Sequence, residues 1–311
     1  MRADGALRIR ARERRYSRSG SGGNSMSAVR QSSEILFTSP SVTLMRITCR
    51  TPRSGLTETY ETQRAWIGLP LSGVFTVVSG GEEQPIHAAV GVVFPHALEY
   101  RMRHPCEGGD LSATLGLAPE VMQEAFPLLP ERVTVTPLDL RLRHRVGVML
   151  AAAERGQEPL AIEERALDVV RSIARGIGCR RTSGVSASTS RTVDRVRTLL
   201  AEAPEIRWTL ESLGRFVGYS PFYLARQFRA HTGMSVHRYL ADLRAAAALR
   251  RIEAGDASLA AIAADLGFSH HSHLTATLRR RLEVTPSMIR EQLRATRRTA
   301  RAHQPARTAR S

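Results

Sequence analysis

Residues 209–239, "TLESLGRFVGYSPFYLARQFRAHTGMSVHRY", and 258–289, "SLAAIAADLGFSHHSHLTATLRRRLEVTPSMI", repeat one another. Leu210, Leu213, Gly218 and Ser220 fall 49 positions before Leu259, Ile262, Gly267 and Ser269. After one inserted residue, Leu224, Phe228 and Tyr239 match Leu274, Leu278 and Ile289 at a spacing of 50. So many apolar and glycine positions do not coincide by chance. The C-terminal third is a duplication.

Each copy has the grammar of two short helices joined by a sharp turn. Thr209 and Ser258 are N-cap types whose oxygens satisfy free first-turn amides. Leu210, Leu213 and Val217, like Leu259, Ile262 and Leu266, form one inward face. Gly218 and Gly267 suit the left-handed backbone that ends a helix. Ser220 and Ser269 are placed to cap the second helix, with Pro221 at the favoured first position. Leu224 and Phe228, or Leu274 and Leu278, hold that helix on the first and leave its other face free, which is how a major-groove reader is presented. Between the copies, "SVHRYLADLRAAAALRRIEAG" predicts one helix, capped by Ser235 and ended by Gly255. At ~1.5 Å per residue it spans about 28 Å, near the ~34 Å between successive major-groove faces on one side of DNA.

Charge follows the same division. Residues 1–30 hold 8 Arg against 2 acids, residues 31–185 hold 16 against 17, and residues 186–311 hold 21 against 10. The net of +16 is carried entirely by Arg, since the chain has no Lys. A neutral middle and a basic C-terminal third suggest that one module meets a polyanion; the plainer reading is a solvated basic surface. Three widely spaced cysteines, Cys49, Cys106 and Cys179, with no CxxC, argue against both a disulfide framework and a structural zinc site and favour a reducing cytosol. No apolar run approaches a membrane span, and the Arg-rich start lacks the apolar core of a secretory signal.

Residues 1–33 read as a disordered Arg/Ser/Gly extension, with either Met1 or Met26 as the true start. From 34 to 117 some seven or eight short runs are broken by turn residues. Val42 and Leu44 share one face and Met45 and Ile47 the other, and Gly80–Gly81 marks a hairpin. An antiparallel barrel or sandwich follows. After Pro119 the pattern turns helical; Leu160, Leu167, Val170, Ile173, Ala174 and Ile177 make one stripe, for packing on its own domain or for a helix-to-helix dimer seam. The expected organisation is a multidomain α+β chain. A β-rich domain with helices occupies 34–179, a linker 180–190, and an all-α domain 191–293 with helix-turn-helix units at 209–230 and 258–281. A basic disordered tail occupies 294–311.

Residues ~190–293 resemble the DNA-binding domain of the AraC/XylS family of bacterial transcription regulators. The pattern stands here as Gly267, Phe268, Ser269, Ser272, His273, Leu274 and "VTP" at 284–286, with "GYSPFYLARQF" and "TGMSVHRYL" in the first copy. Arg244 sits where the family's linker helix usually has Arg. Leu274 and Leu278 replace the usual Phe, Glu283 a common Gly, and Ala276 a frequent Arg. The resemblance implies a cupin-like N-terminal sensor, an activator in contact with RNA polymerase, and a cytoplasmic, nucleoid-associated protein. Promoter DNA and a small-molecule effector are the expected partners, with the chain acting either as a monomer or as a homodimer.

Expected DNA-contacting residues are Ser220, Phe222, Tyr223, Arg226 and Arg229 in the first copy, and Ser269, His270, His271, Ser272, Thr275, Arg279 and Arg280 in the second. Arg226 is the best candidate for bidentate contact with guanine, while Arg279 and Arg280 suit phosphate. His273 is either a contact or a positioning residue. Three imidazoles without a carboxylate or Cys make an incomplete zinc site, and His87, His96 and His104 are scattered, so no metal or cofactor is expected. Trp66, Phe75, Phe94, Tyr100 and His104 either line a ligand cavity or form core. No catalytic arrangement stands out. The rival reading is a cupin-type metalloenzyme, or a ligand-binding sensor, with an appended DNA-binding domain.

Overall fold

The computed structural model describes residues 30–50, 55–105, 108–128, 130–178, 187–255 and 258–291. Ten strands among them form two sheets. Six make one antiparallel sheet in the order β1 (Arg30–Thr38), β2 (Val42–Arg50), β9 (Asp110–Leu117), β4 (Trp66–Ser72), β7 (Val90–Phe94) and β10 (Thr134–Pro137). The other sheet runs β3 (Tyr60–Glu61), β8 (Glu99–Arg103), β5 (Val74–Ser79) and β6 (Glu82–His87). Gly80 and Gly81, at φ 56° and 78°, close the β5–β6 hairpin where positive φ excludes most side chains.

Alternation decides which residues go where. Val42 and Leu44 of β2, Ala113 and Leu115 of β9 and Val93 of β7 turn outward, under the helices α1 (Pro119–Ala125), α2 (Leu140–Glu154) and α3 (Pro159–Gly178). Val92 and Phe94 turn inward against Phe75, Val77, Ile86 and Tyr100 of the second sheet. Both faces of β7 are therefore covered, and its "VGVVF" is buried throughout.

Three expectations shift. The chain enters β1 at Arg30, inside the stretch read as disordered, because β2 supplies the backbone partners for a polar edge strand; the remainder of that stretch and the 294–311 tail lie outside the described residues. The buried face of α3 runs through Ile162, Ala166, Val169, Val170 and Ile173, leaving Leu160 61% exposed. Helix α4 (Ala187–Glu202) starts within the supposed linker, of which residues 180–186 are not described.

The C-terminal domain has two cores. One gathers Val193, Val196 and Leu200 of α4, Leu213 of α5 (Leu210–Val217), Leu224 and Phe228 of α6 (Pro221–Thr232), and Val236, Tyr239, Leu240 and Leu243 of α7 (Val236–Ala254). The other gathers Ala245, Ala248, Leu249 and Ile252 of α7, Ile262 and Ala263 of α8 (Leu259–Asp265), and Leu274, Leu278 and Leu282 of α9 (His271–Leu282). Helix α7 serves one core with its N-terminal half and the other with its C-terminal half, so its buried residues, from Val236 to Ile252, do not keep to a single stripe and charged residues lie between them. The sensor side enters both: Ala89 joins the first core, and Leu140 and Ala151 of α2 join the second.

Candidate nucleic-acid interface

Helix α6 begins at Ser220, whose Oγ accepts from the Tyr223 amide at 3.2 Å, with Pro221 at the first helical position. Such a cap stabilises by about 1 kcal/mol. Leu224 and Phe228 are fully buried and fix the helix on α5. The opposite face carries Phe222, 78% exposed, with Arg226 and Arg229 also exposed. Tyr223 is half-buried, edge-on to Tyr219, and the Arg226 guanidinium lies 5.4 Å over its ring. That contact restricts where Arg226 points.

Helix α9 is built alike, with one change. Its N-cap is His270, not Ser269: His270 Nδ1 accepts from the His273 amide at 3.2 Å. Ser269 Oγ instead meets His273 Nδ1 at 3.1 Å, and the His273 ring stands edge-on to buried Phe268. These contacts orient the His273 ring, itself exposed, and the exposed His271, Ser272, Arg279 and Arg280 face solvent beside half-buried Thr275. Arg281 turns back to pair with Asp242 of α7. All twelve residues expected to touch DNA lie on α6 and α9 or at their caps. Ser220, Ser269 and His270 already spend a side-chain hydrogen bond on the helix start.

Arg244 explains the basic residue in the linker helix. Its guanidinium donates to the carbonyls of Pro204, Ile206 and Gly267 at 2.6, 2.9 and 3.1 Å. One side chain thus ties the α4–α5 connection to the turn before α9. Gly267 has φ 71°, and a Cβ there would sit 2.7 Å from the Glu205 carbonyl oxygen.

Residues 213–292 match the family described as a helix-turn-helix domain. A 69-residue stretch is 39% identical to the transcriptional activator RhaS of Pectobacterium carotovorum, covering 22% of this chain and 25% of that protein. Over 94 residues it is 32% identical to an AraC-like transcription regulator of Streptomyces lividans, covering 30% and 31%. The C-terminal third is an AraC-type DNA-binding domain. The chain thus aligns with about a quarter to a third of the length of these curated relatives. A ToxT structure from Vibrio cholerae overlaps 83% of this chain and 99% of its own at 11% identity, with a TM-score of 0.35, too loose a likeness to bear on function.

The AraC-type domain is latched to the β-rich domain by a buried polar chain. Ala89 N–H donates to His87 Nδ1 at 3.2 Å, so the ring proton sits on Nε2, 2.6 Å from the Tyr239 hydroxyl. Arg197 Nε reaches the same hydroxyl at 3.2 Å, and its NH1 holds Asp194 at 2.6 Å. Burial, then the nearby Arg197 and Arg143 charges, push His87 well below the usual histidine range. A cleft of about 600 Å³ lies between the domains, lined by Arg46, Arg50, Arg143, Arg155 and Arg250 against Glu154 and Glu253. Arg143 is buried, its Nε has no hydrogen-bond partner among the described residues, and burial lowers it to about 10.

The aromatic residues proposed for the β-domain divide. Trp66, Phe75 and Tyr100 border a cavity of only about 50 Å³, whereas Phe94 is core, stacked on Trp66 at 4.0 Å. His104 is fully buried with Nε2 2.9 Å from Asp110 Oδ1, and Ser112 Oγ holds Asp110 Oδ2 at 3.1 Å. Cys49 completes the cluster: it is the direct cross-strand partner of Asp110, and burial together with the Asp110 charge push its thiol up to about 12. Sequence reasoning missed Cys49 because it lies far from His104 in the chain; the parity of β2, which sends Met45, Ile47 and Cys49 inward together, was the available signal.

Proposed function

We propose that the whole chain is a cytoplasmic, sequence-specific transcription regulator and not an enzyme. In this reading α6 and α9 enter successive major grooves, and the β-rich domain sets when they do so. The observation that carries it is the duplicated reader: two short helices, each pinned by buried leucine or phenylalanine, each presenting an exposed face of Arg, His, Ser or Phe, and held at the two ends of one 19-residue helix. Activation is part of the same proposal, supported by the AraC-type domain and by its similarity to the activator RhaS, and it is proposed to act through RNA polymerase with two copies of the chain paired.

The effector is proposed to bind in the arginine-lined cleft, as a small molecule carrying carboxylate or phosphate. Its volume is ligand-sized, and arginines outnumber acids along it. A ligand there touches both the sensor and α7, so it biases how the readers are held. The test is selection of bound fragments from sheared host DNA by the purified full-length chain at near-physiological salt. A recovered motif with two blocks about one helical turn apart supports the reading. Binding without any shared motif, with and without extracts of host metabolites, overturns it.

A further inference from the structure

The β-rich domain places three metal-ligand types together where the sequence showed only scattered histidines. Cys49 on β2, His104 just after β8 and Asp110 at the start of β9 each present one ligand atom within 4.8 Å of the other two. All three are buried, at 3%, 0% and 7% exposure. They border the 50 Å³ cavity through Cys49 and Asp110, and Thr114, on the same face of β9 and 3% exposed, also lines it, its buried Oγ1 having no hydrogen-bond partner among the described residues. We propose that Cys49, His104 and Asp110 form a zinc site, with water or a small ligand in the fourth position beside Thr114.

The donor chemistry selects the metal. One thiolate, one imidazole and one carboxylate suit Zn²⁺, whereas Mg²⁺ and Ca²⁺ ask for oxygen alone. Around tetrahedral zinc, bonds of about 2.0–2.3 Å set ligand atoms ~3.3–3.7 Å apart. The His104–Asp110 separation of 2.9 Å must therefore open by a few tenths of an ångström, and the thiol must draw in by up to about one. Entry of the ion exchanges the Cys49 S–H bond for an S–Zn bond and releases that proton to solvent. Without the ion, a carboxylate and a thiol face each other across a buried strand pair. The site joins β2 to β9 and to the segment after β8, and it stands independently of how the chain reads DNA.

The test is titration of the full-length, metal-stripped chain with Co²⁺, a spectroscopic stand-in for Zn²⁺, followed by displacement with Zn²⁺. One equivalent should give visible tetrahedral bands and a near-ultraviolet sulfur-to-cobalt band, both erased by Zn²⁺. The sulfur band should persist in a Cys106→Ser/Cys179→Ser chain and disappear on Cys49→Ser. His104→Gln, a milder change, should weaken Zn²⁺ by more than about 100-fold, since even outer partners of a metal ligand cost about 10–100-fold. Circular dichroism of each variant shows whether it folds. Absence of a sulfur band in the wild-type chain, its survival in folded Cys49→Ser, its loss on Cys106→Ser/Cys179→Ser, or unchanged Zn²⁺ affinity in folded His104→Gln each overturns the proposal.

Discussion

Replacing Tyr239 by Phe removes one oxygen from the latch between the domains and little else. The ring keeps its volume and its edge-on contacts with Phe228 and His87, so no cavity opens. The loss falls on His87. Its Nδ1 is taken by the Ala89 amide, and its Nε2–H, at a residue with 0% exposure, is left with nothing to donate to. An unsatisfied buried donor costs about 1–3 kcal/mol. Arg197 also loses a partner but keeps Asp194, so its share is smaller. We expect about 2 kcal/mol in all, roughly a 30-fold drop in the folding constant. Urea denaturation of the full chain at neutral pH reads this as a lower midpoint at an unchanged slope. In a His87→Leu background the same substitution should cost about 1 kcal/mol less, because the orphaned donor is already gone. A loss below about 0.5 kcal/mol, or one that is the same in both backgrounds, would refute the latch.

Acid should weaken the fold through the same ring. Burial holds His87 far below the usual histidine range, so as pH falls below about 6.5 the unfolded chain takes up a proton that the native chain refuses. Stability is full above that pH and falls by up to about 1.4 kcal/mol per pH unit below it, a slope that His87→Gln should flatten. Gly267→Ala forces a side chain into positive φ and against the Glu205 carbonyl, and should lower the melting temperature by several degrees. Arg226→Ala should relax preference at one base position by about 1–3 kcal/mol. Arg279→Ala should instead weaken all DNA evenly and lessen the salt dependence; equal losses across sequences from both would dissolve the division between reader and anchor.

The helix-turn-helix units were legible because their determinants are local. Thr209, Ser258, Ser220, Ser235, Gly218 and Gly255 act on backbone within four residues of themselves, and each sits where its chemistry predicts. The one exchanged cap, His270 for Ser269, arose because a neighbouring imidazole competes for the same amide. What escaped was tertiary. Tyr239 meets His87 across 152 residues, and Cys49 meets Asp110 only once the β2–β9 register is set. Leu160 looked like core on a helical projection, but the sheet beneath α3 engages a neighbouring stripe.

Ala89, Leu140 and Ala151 belong to the sensor by chain order, yet they complete the cores of the two reader units. Modularity here is genetic before it is physical. A fragment cut at the linker would carry away both readers with apolar gaps where those three side chains had been. Swapping this sensor for another therefore means grafting its contact surface as well as its sequence, and the border between the two halves of the protein runs through their packing.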